Sequence, residues 1–257
     1  MSKKLAAGAD GILLDVKTGS GAFMKTVEGA TELAKTMVAI GEAAHKPTMA
    51  LVTDMDIPLG YAIGNTLEVI EAIDTLSGNG PKDLTELSLQ LSAYMLMISQ
   101  AGDFSKCYEL AKAALDNGEA LKVFRRMIAA QGGDDRVLDD RSLFAKAAYI
   151  LPVTASKSGW VSQMDTEAIG VVSMILGAGR RTKDSGIDSA AGLLLKVKPG
   201  DYLNEGETAA VLYTNDSQTL PEASQKIIEA IFLTAQKPLE KPLILAKVFI
   251  DNVEYCC

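Results

Sequence analysis

The chain has 257 residues, 48% of them hydrophobic and 23% charged, and a formal net charge of −8. A chain of this length and composition buries a sizeable core and is neither disordered nor fibrous. Its acidic balance and its 5% aromatic content exclude a basic face for phosphates and a platform for stacked bases, so nucleic acid is not an expected partner.

Residues 1–10 carry Lys3 and Lys4, but Asp10 and Asp15 interrupt the apolar run that a signal peptide needs. Residues 11–15 read as a buried strand, a short apolar run ended by a carboxylate. The glycine-bearing turn Lys17-Thr18-Gly19-Ser20-Gly21-Ala22-Phe23 follows. Residues 27–44 have helical periodicity, with Glu28 and Glu32 placed early, where they meet the positive end of the helix dipole. Lys46-Pro47 ends that unit, and residues 48–53 form the next strand. Strand, helix, strand and helix in close succession predict a parallel sheet with right-handed crossovers.

A helix over residues 68–76 runs into the breaker cluster Gly78-Asn79-Gly80-Pro81. Helices over 84–100, 105–117 and 120–130 then form a helical layer, with Gly102 and Gly118 where C-terminal caps belong. The pattern changes near Tyr149-Ile150-Leu151-Pro152. Short β-type runs follow at 153–155, 159–163, 193–197 and 208–213, with helices at 165–177 and 216–235 and an extended segment at 242–253. The fold class is α/β: a parallel-sheet domain with a helical layer over residues 1–150, then a smaller α+β domain over 151–257. No run reaches the roughly 18 apolar residues of a spanning helix, so a membrane is not an expected partner. The three cysteines (Cys107, Cys256 and Cys257) suit neither a disulfide framework nor a metal site, and point to the cytoplasm.

The turn at residues 17–21 has the look of a phosphate cradle, but it lacks the order G-x-x-x-x-G-K-[ST] and reads first as a tight turn using glycine at positive φ. In Thr53-Asp54-Met55-Asp56-Ile57-Pro58-Leu59-Gly60-Tyr61-Ala62, an acidic loop leaves a strand and opens a helix, a place where backbone groups converge on ligands. Asn65 with Glu68 resembles a capping box. That leaves Glu71, whose carboxylate with the carbonyls of Leu59 and Ala62 suits a hard, weakly charged cation. His45 is either a general base or a helix-end cation, and the second reading is preferred. Arg180-Arg181 suits an anion or a solvated turn. Residues 198–207 have the cadence of a biotinyl or lipoyl carrier hairpin without its modifiable lysine motif.

Three segments together, Leu14 through Met24, Thr53 through Glu71 and Ser158 through Thr166, resemble the pyrimidine-nucleoside phosphorylase family, to which thymidine phosphorylase is closely related. The resemblance spans the whole chain but only the later part of that family's chain. It implies phosphorolysis of uridine, thymidine or deoxyuridine with phosphate as co-substrate, a homodimer, and a potassium site on Leu59, Ala62 and Glu71. It also implies that Lys3 contacts the pyrimidine. The family's phosphate-binding Lys-His-Ser-Thr-Gly-Gly segment and its base-holding arginine have no counterpart among these residues. The chain is therefore expected to be truncated, with little activity alone. The alternative is a non-catalytic remnant or interaction module that keeps the fold.

Overall fold

The computed structural model describes residues 1–180 and 182–256. Arg181 and Cys257, both singled out above, lie outside the described residues. In chain order the elements begin with α1 (Ser2–Ala6), β1 (Ile12–Thr18), α2 (Val27–Ala43), β2 (Thr48–Asp54), β3 (Ala62–Ile63) and α3 (Asn65–Leu76). The helices α4 (Lys82–Ile98), α5 (Phe104–Asp116) and α6 (Glu119–Ala130) follow. Next come β4 (Tyr149–Thr154), β5 (Gly159–Met164), α7 (Thr166–Leu176), β6 (Gly192–Leu195), β7 (Tyr202–Leu203) and β8 (Thr208–Thr214). Helix α8 (Leu220–Glu229), β9 (Ile231–Thr234), β10 (Ile244–Val248) and β11 (Val253–Tyr255) complete the chain. Among the described residues no helix is long and apolar enough to cross a membrane.

The elements form two compact units. One comprises Met1–Asp56, Lys82–Asn117 and Lys241–Cys257; the other comprises Ile57–Pro81 and Gly118–Glu240. These units interleave along the sequence, whereas the sequence reading draws one boundary near residue 151.

In the first unit the sheet order is β1-β2-β10-β11. The expected parallel pair forms, with Ile12 opposite Thr48 and Thr18 opposite Asp54. Strand β10 then runs antiparallel to β2, with Val248 opposite Ala50, so the sheet is mixed. Residues 48–53 of β2 are all buried, as a central strand covered on both faces requires. One face presents Ile12, Leu14, Val16, Ala50 and Val52 to Ala30, Ala34 and Val38 of α2. The alternate residues Leu13, Met49 and Leu51 pack with Tyr94, Leu91 and Met97 of α4. Full burial of a side chain such as Leu51 contributes about 1.5–3 kcal/mol. Gly41 sets the approach of α2 to β2, because a Cβ there would lie 2.0 Å from Thr48 Oγ1.

Helix ends show where local signals mislead. Helix α2 closes with Lys46 N–H on Gly41 O (3.0 Å) and His45 N–H on Glu42 O (2.8 Å), with His45 at φ 56°. This is a Schellman cap with histidine where glycine is usual. His45 therefore ends the helix through its backbone conformation. Helix α4 closes in the same manner on Gln100 (φ 64°), with Ala101 N–H on Leu96 O, and not on Gly102 as expected. Gly118 is left-handed (φ 77°) and stands between α5 and α6.

The second unit holds a sheet of order β3-β6-β8-β4 and a smaller one of order β7-β5-β9. Its core joins Val161 and Met164 of β5, Ile169 and Val172 of α7, Leu193 and Leu195 of β6, Leu212 of β8 and Ile227 of α8. The helix expected over 216–235 stops at Glu229. Ile231-Phe232-Leu233-Thr234 leaves it as β9 and pairs with β5, Met164 opposite Ile231. Its β-branched and aromatic residues favour the half-buried sheet.

His45→Gly relieves a left-handed residue that carries a Cβ. It is expected to stabilise the chain by about 0.5–1 kcal/mol in equilibrium denaturation.

Candidate functional site

The loop after β2 meets α3 inside the second unit. Its residues Tyr61 and Ala62 lead into β3, which pairs antiparallel with β6, Ala62 opposite Leu194. Tyr61 O accepts from Leu195 N–H at 2.8 Å. Helix α3 starts at Asn65 with Gly64 as its N-cap, and Glu68 Oε1 accepts from Gly64 N–H at 3.0 Å. The cap therefore lies one residue before the expected Asn65, whose side chain instead donates to Ala178 O at 2.9 Å.

Glu71 lies on the next turn of α3. Its Oε1 accepts from the N–H of Tyr61 (2.8 Å) and of Ala62 (3.1 Å). Gly60 has φ 69°, and a Cβ there would lie 2.1 Å from Glu71 Oε2. Glycine is thus required twice, once for the backbone angle and once for the carboxylate that packs against it. Lys198, from the turn after β6, donates to Pro58 O at 2.7 Å and stands 5.0 Å from the centre of the Tyr61 ring. The structure thus brings Glu71 onto the loop that carries Leu59 and Ala62, through the Ala62 amide. One carboxylate with neutral carbonyls is the kind of donor set a monovalent cation takes; here Glu71 Oε1 is engaged by the two loop amides and Oε2 lies against Gly60. Among the described residues no group of three or more His, Cys, Asp or Glu is placed to hold a metal ion.

A second cluster gathers at the C-terminal ends of β1 and β2 in the first unit. Asp15 accepts from Thr53 Oγ1 at 2.5 Å and pairs with Lys17 Nζ at 2.6 Å. In the turn after β1, Gly19 N–H donates to Met24 O, Gly21 N–H to Met55 O and Ala22 N–H to Gly19 O. Ser20 N–H donates to Asp56 Oδ1 at 2.8 Å. All four amides of residues 19–22 are committed inside the protein, which is the geometry of a tight structural turn and not of an open phosphate cradle. Gly19 (φ 127°) allows it, because a Cβ there would lie 2.6 Å from Asp56 N. Lys241 Nζ approaches Asp56 Oδ2 at 3.4 Å. Lys3 lies exposed on α1 in this first unit, whereas Leu59, Ala62 and Glu71 belong to the second.

Burial pushes the Asp54 carboxyl above its usual range, and the charge of Asp56 adds to this. The hydrogen bond that Asp54 Oδ1 accepts from Asp56 N–H and the charges of Lys241 and Lys17 oppose the rise. Neither the Lys198–Pro58 bond nor the Asp56–Ser20 bond is legible locally, because their partners stand 140 and 36 residues away.

Gly60→Ala forces a side chain into the left-handed region and against Glu71. It is expected to destabilise the chain by about 1–2 kcal/mol in chemical denaturation, with faster amide exchange at Tyr61 and Ala62. A carboxyl raised by folding destabilises the native state once it ionises, so its effect is absent below the unfolded value near 3.9 and grows as pH rises through the folded value. Asp54→Asn retains the oxygen that meets Asp56 N–H. It is expected to raise the melting temperature at pH 7 and to lose that advantage at about pH 3.

The family model for the pyrimidine nucleoside phosphorylase C-terminal domain matches residues 160–234, and that for the a/b domain of a glycosyl transferase family matches residues 1–121. The pyrimidine-nucleoside phosphorylase of Geobacillus stearothermophilus is 47% identical over 246 residues, covering 95% of this chain and 56% of the relative. That of Bacillus subtilis (strain 168) is 47% identical over 242 residues, covering 94% and 56%. That of Staphylococcus haemolyticus (strain JCSC1435) is 45% identical over 252 residues, covering 98% and 58%. The chain thus spans little more than half the length of these relatives. With both of its halves matched and this identity along nearly all of its residues, the chain belongs to the pyrimidine-nucleoside phosphorylase family.

Proposed function

We infer that the chain forms part of a pyrimidine-nucleoside phosphorylase, a pentosyltransferase that splits uridine, thymidine or deoxyuridine with inorganic phosphate. The products are the free base and (deoxy)ribose 1-phosphate. The observation that carries this reading is the 45–47% identity to relatives of that name over 94–98% of the chain.

In phosphorolysis a phosphate oxygen attacks C1′ and the base leaves with the electron pair of the glycosidic bond. A positive group at a base carbonyl stabilises that departing anion more than the neutral substrate, and so acts on the transition state. Lys3 is the residue assigned this role. Leu59 and Ala62 through their carbonyls and Glu71 through its carboxylate would hold a potassium ion, which supplies positive charge between loop and helix when bound. Glu71 and Gly60 shape the loop for it. The assembly is taken to be a cytoplasmic homodimer.

These 257 residues alone are expected to have little or no activity. No Lys-His-Ser-Thr-Gly-Gly segment is present among them, and the amides of the turn at residues 19–22 already have partners. The test is phosphate-dependent release of uracil or thymine, measured by chromatography with the chain alone. The same assay is repeated after mixing with the part of the Geobacillus stearothermophilus relative that lies outside the match. Release on mixing, abolished by Lys3→Ala, supports the reading. No release on mixing, together with no binding of uracil or thymine in calorimetry, overturns it in favour of a non-catalytic remnant.

A further inference from the structure

The loop at residues 57–62 is gripped from two sides. Glu71 holds the amides of Tyr61 and Ala62. Lys198 holds the opposite kind of group, the carbonyl of Pro58, at 2.7 Å, and its ammonium faces the Tyr61 ring. A lysine ammonium is a compact positive charge that binds carbonyl oxygen much as an alkali cation does. Here it is delivered by a well-anchored turn. Lys198 N–H donates to Asp201 Oδ2 at 2.8 Å, Asp201 N–H returns to Lys198 O at 3.0 Å, and Gly200 N–H donates to Val161 O at 2.9 Å. The side chain is only partly exposed, Pro58 and Gly60 are buried, and a charge-assisted bond is strengthened in such surroundings.

We propose that Lys198 is a positioning residue that serves as the resident counter-charge of this loop, so that the loop keeps its shape whether or not a monovalent cation is bound. The inference rests on the reading of Leu59, Ala62 and Glu71 as a cation site. Its physical content is a competition: Lys198 supplies positive charge and a carbonyl contact that the loop would otherwise take from the ion. Without Lys198 the loop depends on the ion.

The test compares thermal melting of the full chain and of Lys198→Met in potassium chloride and in tetramethylammonium chloride at equal ionic strength. Amide exchange at Tyr61 and Ala62 is followed in parallel. Wild type is expected to gain less from potassium than the variant does, because Lys198 already supplies charge to the loop. Lys198→Met is expected to lose about 4–8 °C in tetramethylammonium, to recover at least half of that in potassium, and to show potassium-dependent exchange at the two amides. If Lys198→Met is too unstable, Lys198→Gln keeps a donor without the charge and is expected to show the same salt dependence.

Equal losses in both salts, with exchange accelerated in both, would mean that Lys198 bolts the loop but no cation site exists; that overturns the proposal through the reading beneath it. A variant that melts and exchanges like wild type overturns the role of Lys198 while leaving the cation reading intact. A wild type that gains as much from potassium as the variant overturns the proposal as well, since Lys198 would then not replace the ion.

Discussion

The candidate site depends on one interaction, the carboxylate of Glu71 accepting two consecutive backbone amides at the end of a loop. Backbone amides that leave a strand without reaching a helix need partners, and a buried one left alone costs about as much as a lost hydrogen bond. Glu71 meets that need from the second turn of α3, and in doing so it fixes the angle at which the loop enters the helix. Gly60 follows as a necessity, since any Cβ would collide with the carboxylate. The backbone at Tyr61 and Ala62 is therefore held by an anion of the chain itself.

The first unit solves the same problem with a different acid. Asp56 closes the turn after β1 by accepting from Ser20 N–H, and Gly19 is the residue that lets the two backbones come so close. In both places a carboxylate at a strand-to-helix connection takes amides that in other proteins bind phosphate. Such use of acids accords with a chain of net charge −8. The two clusters differ in their cations. Lys17 and Lys241 stand beside the acids of the first, while Lys198 reaches a carbonyl in the second.

Much of this was legible in the sequence because the signals were local. The parallel pair β1 and β2 could be read because continuous apolar runs mark strands buried on both faces. Glu71 could be read because Glu68 already accounted for the helix start, leaving one acid without a capping task. What escaped was set by distant partners. Strand β10 looked extended but belonged to the first unit's sheet, since its register with β2 is fixed about 190 residues away. Helix ends misled because His45 and Gln100 adopt a conformation usually left to glycine, and because Gly64 capped α3 while the more typical Asn65 turned toward Ala178. Lys198 was read as part of a carrier-like hairpin, and nothing near it in sequence points to Pro58.

The late return of the chain to the first unit explains why acids and bases gather where they do. The chain passes between units next to Ile57-Pro58, Gly80-Pro81, Asn117-Gly118 and Lys241-Pro242, each a point where proline or a left-handed glycine breaks regular structure. Such points leave backbone groups unpaired unless side chains fasten them. At the first and last, Asp56 and Lys241 fasten each other across 185 residues of sequence, and Asp54 N–H binds Leu243 O at 2.9 Å. Just past the first crossing, Pro58 O takes Lys198 and the following amides take Glu71. The stretch from Asp54 to Ala62 is therefore fastened by charged side chains at Asp56, Pro58, Tyr61 and Ala62, where the chain leaves one core for another. Its acidic, glycine-punctuated composition is the trace of that constraint as much as of any ligand.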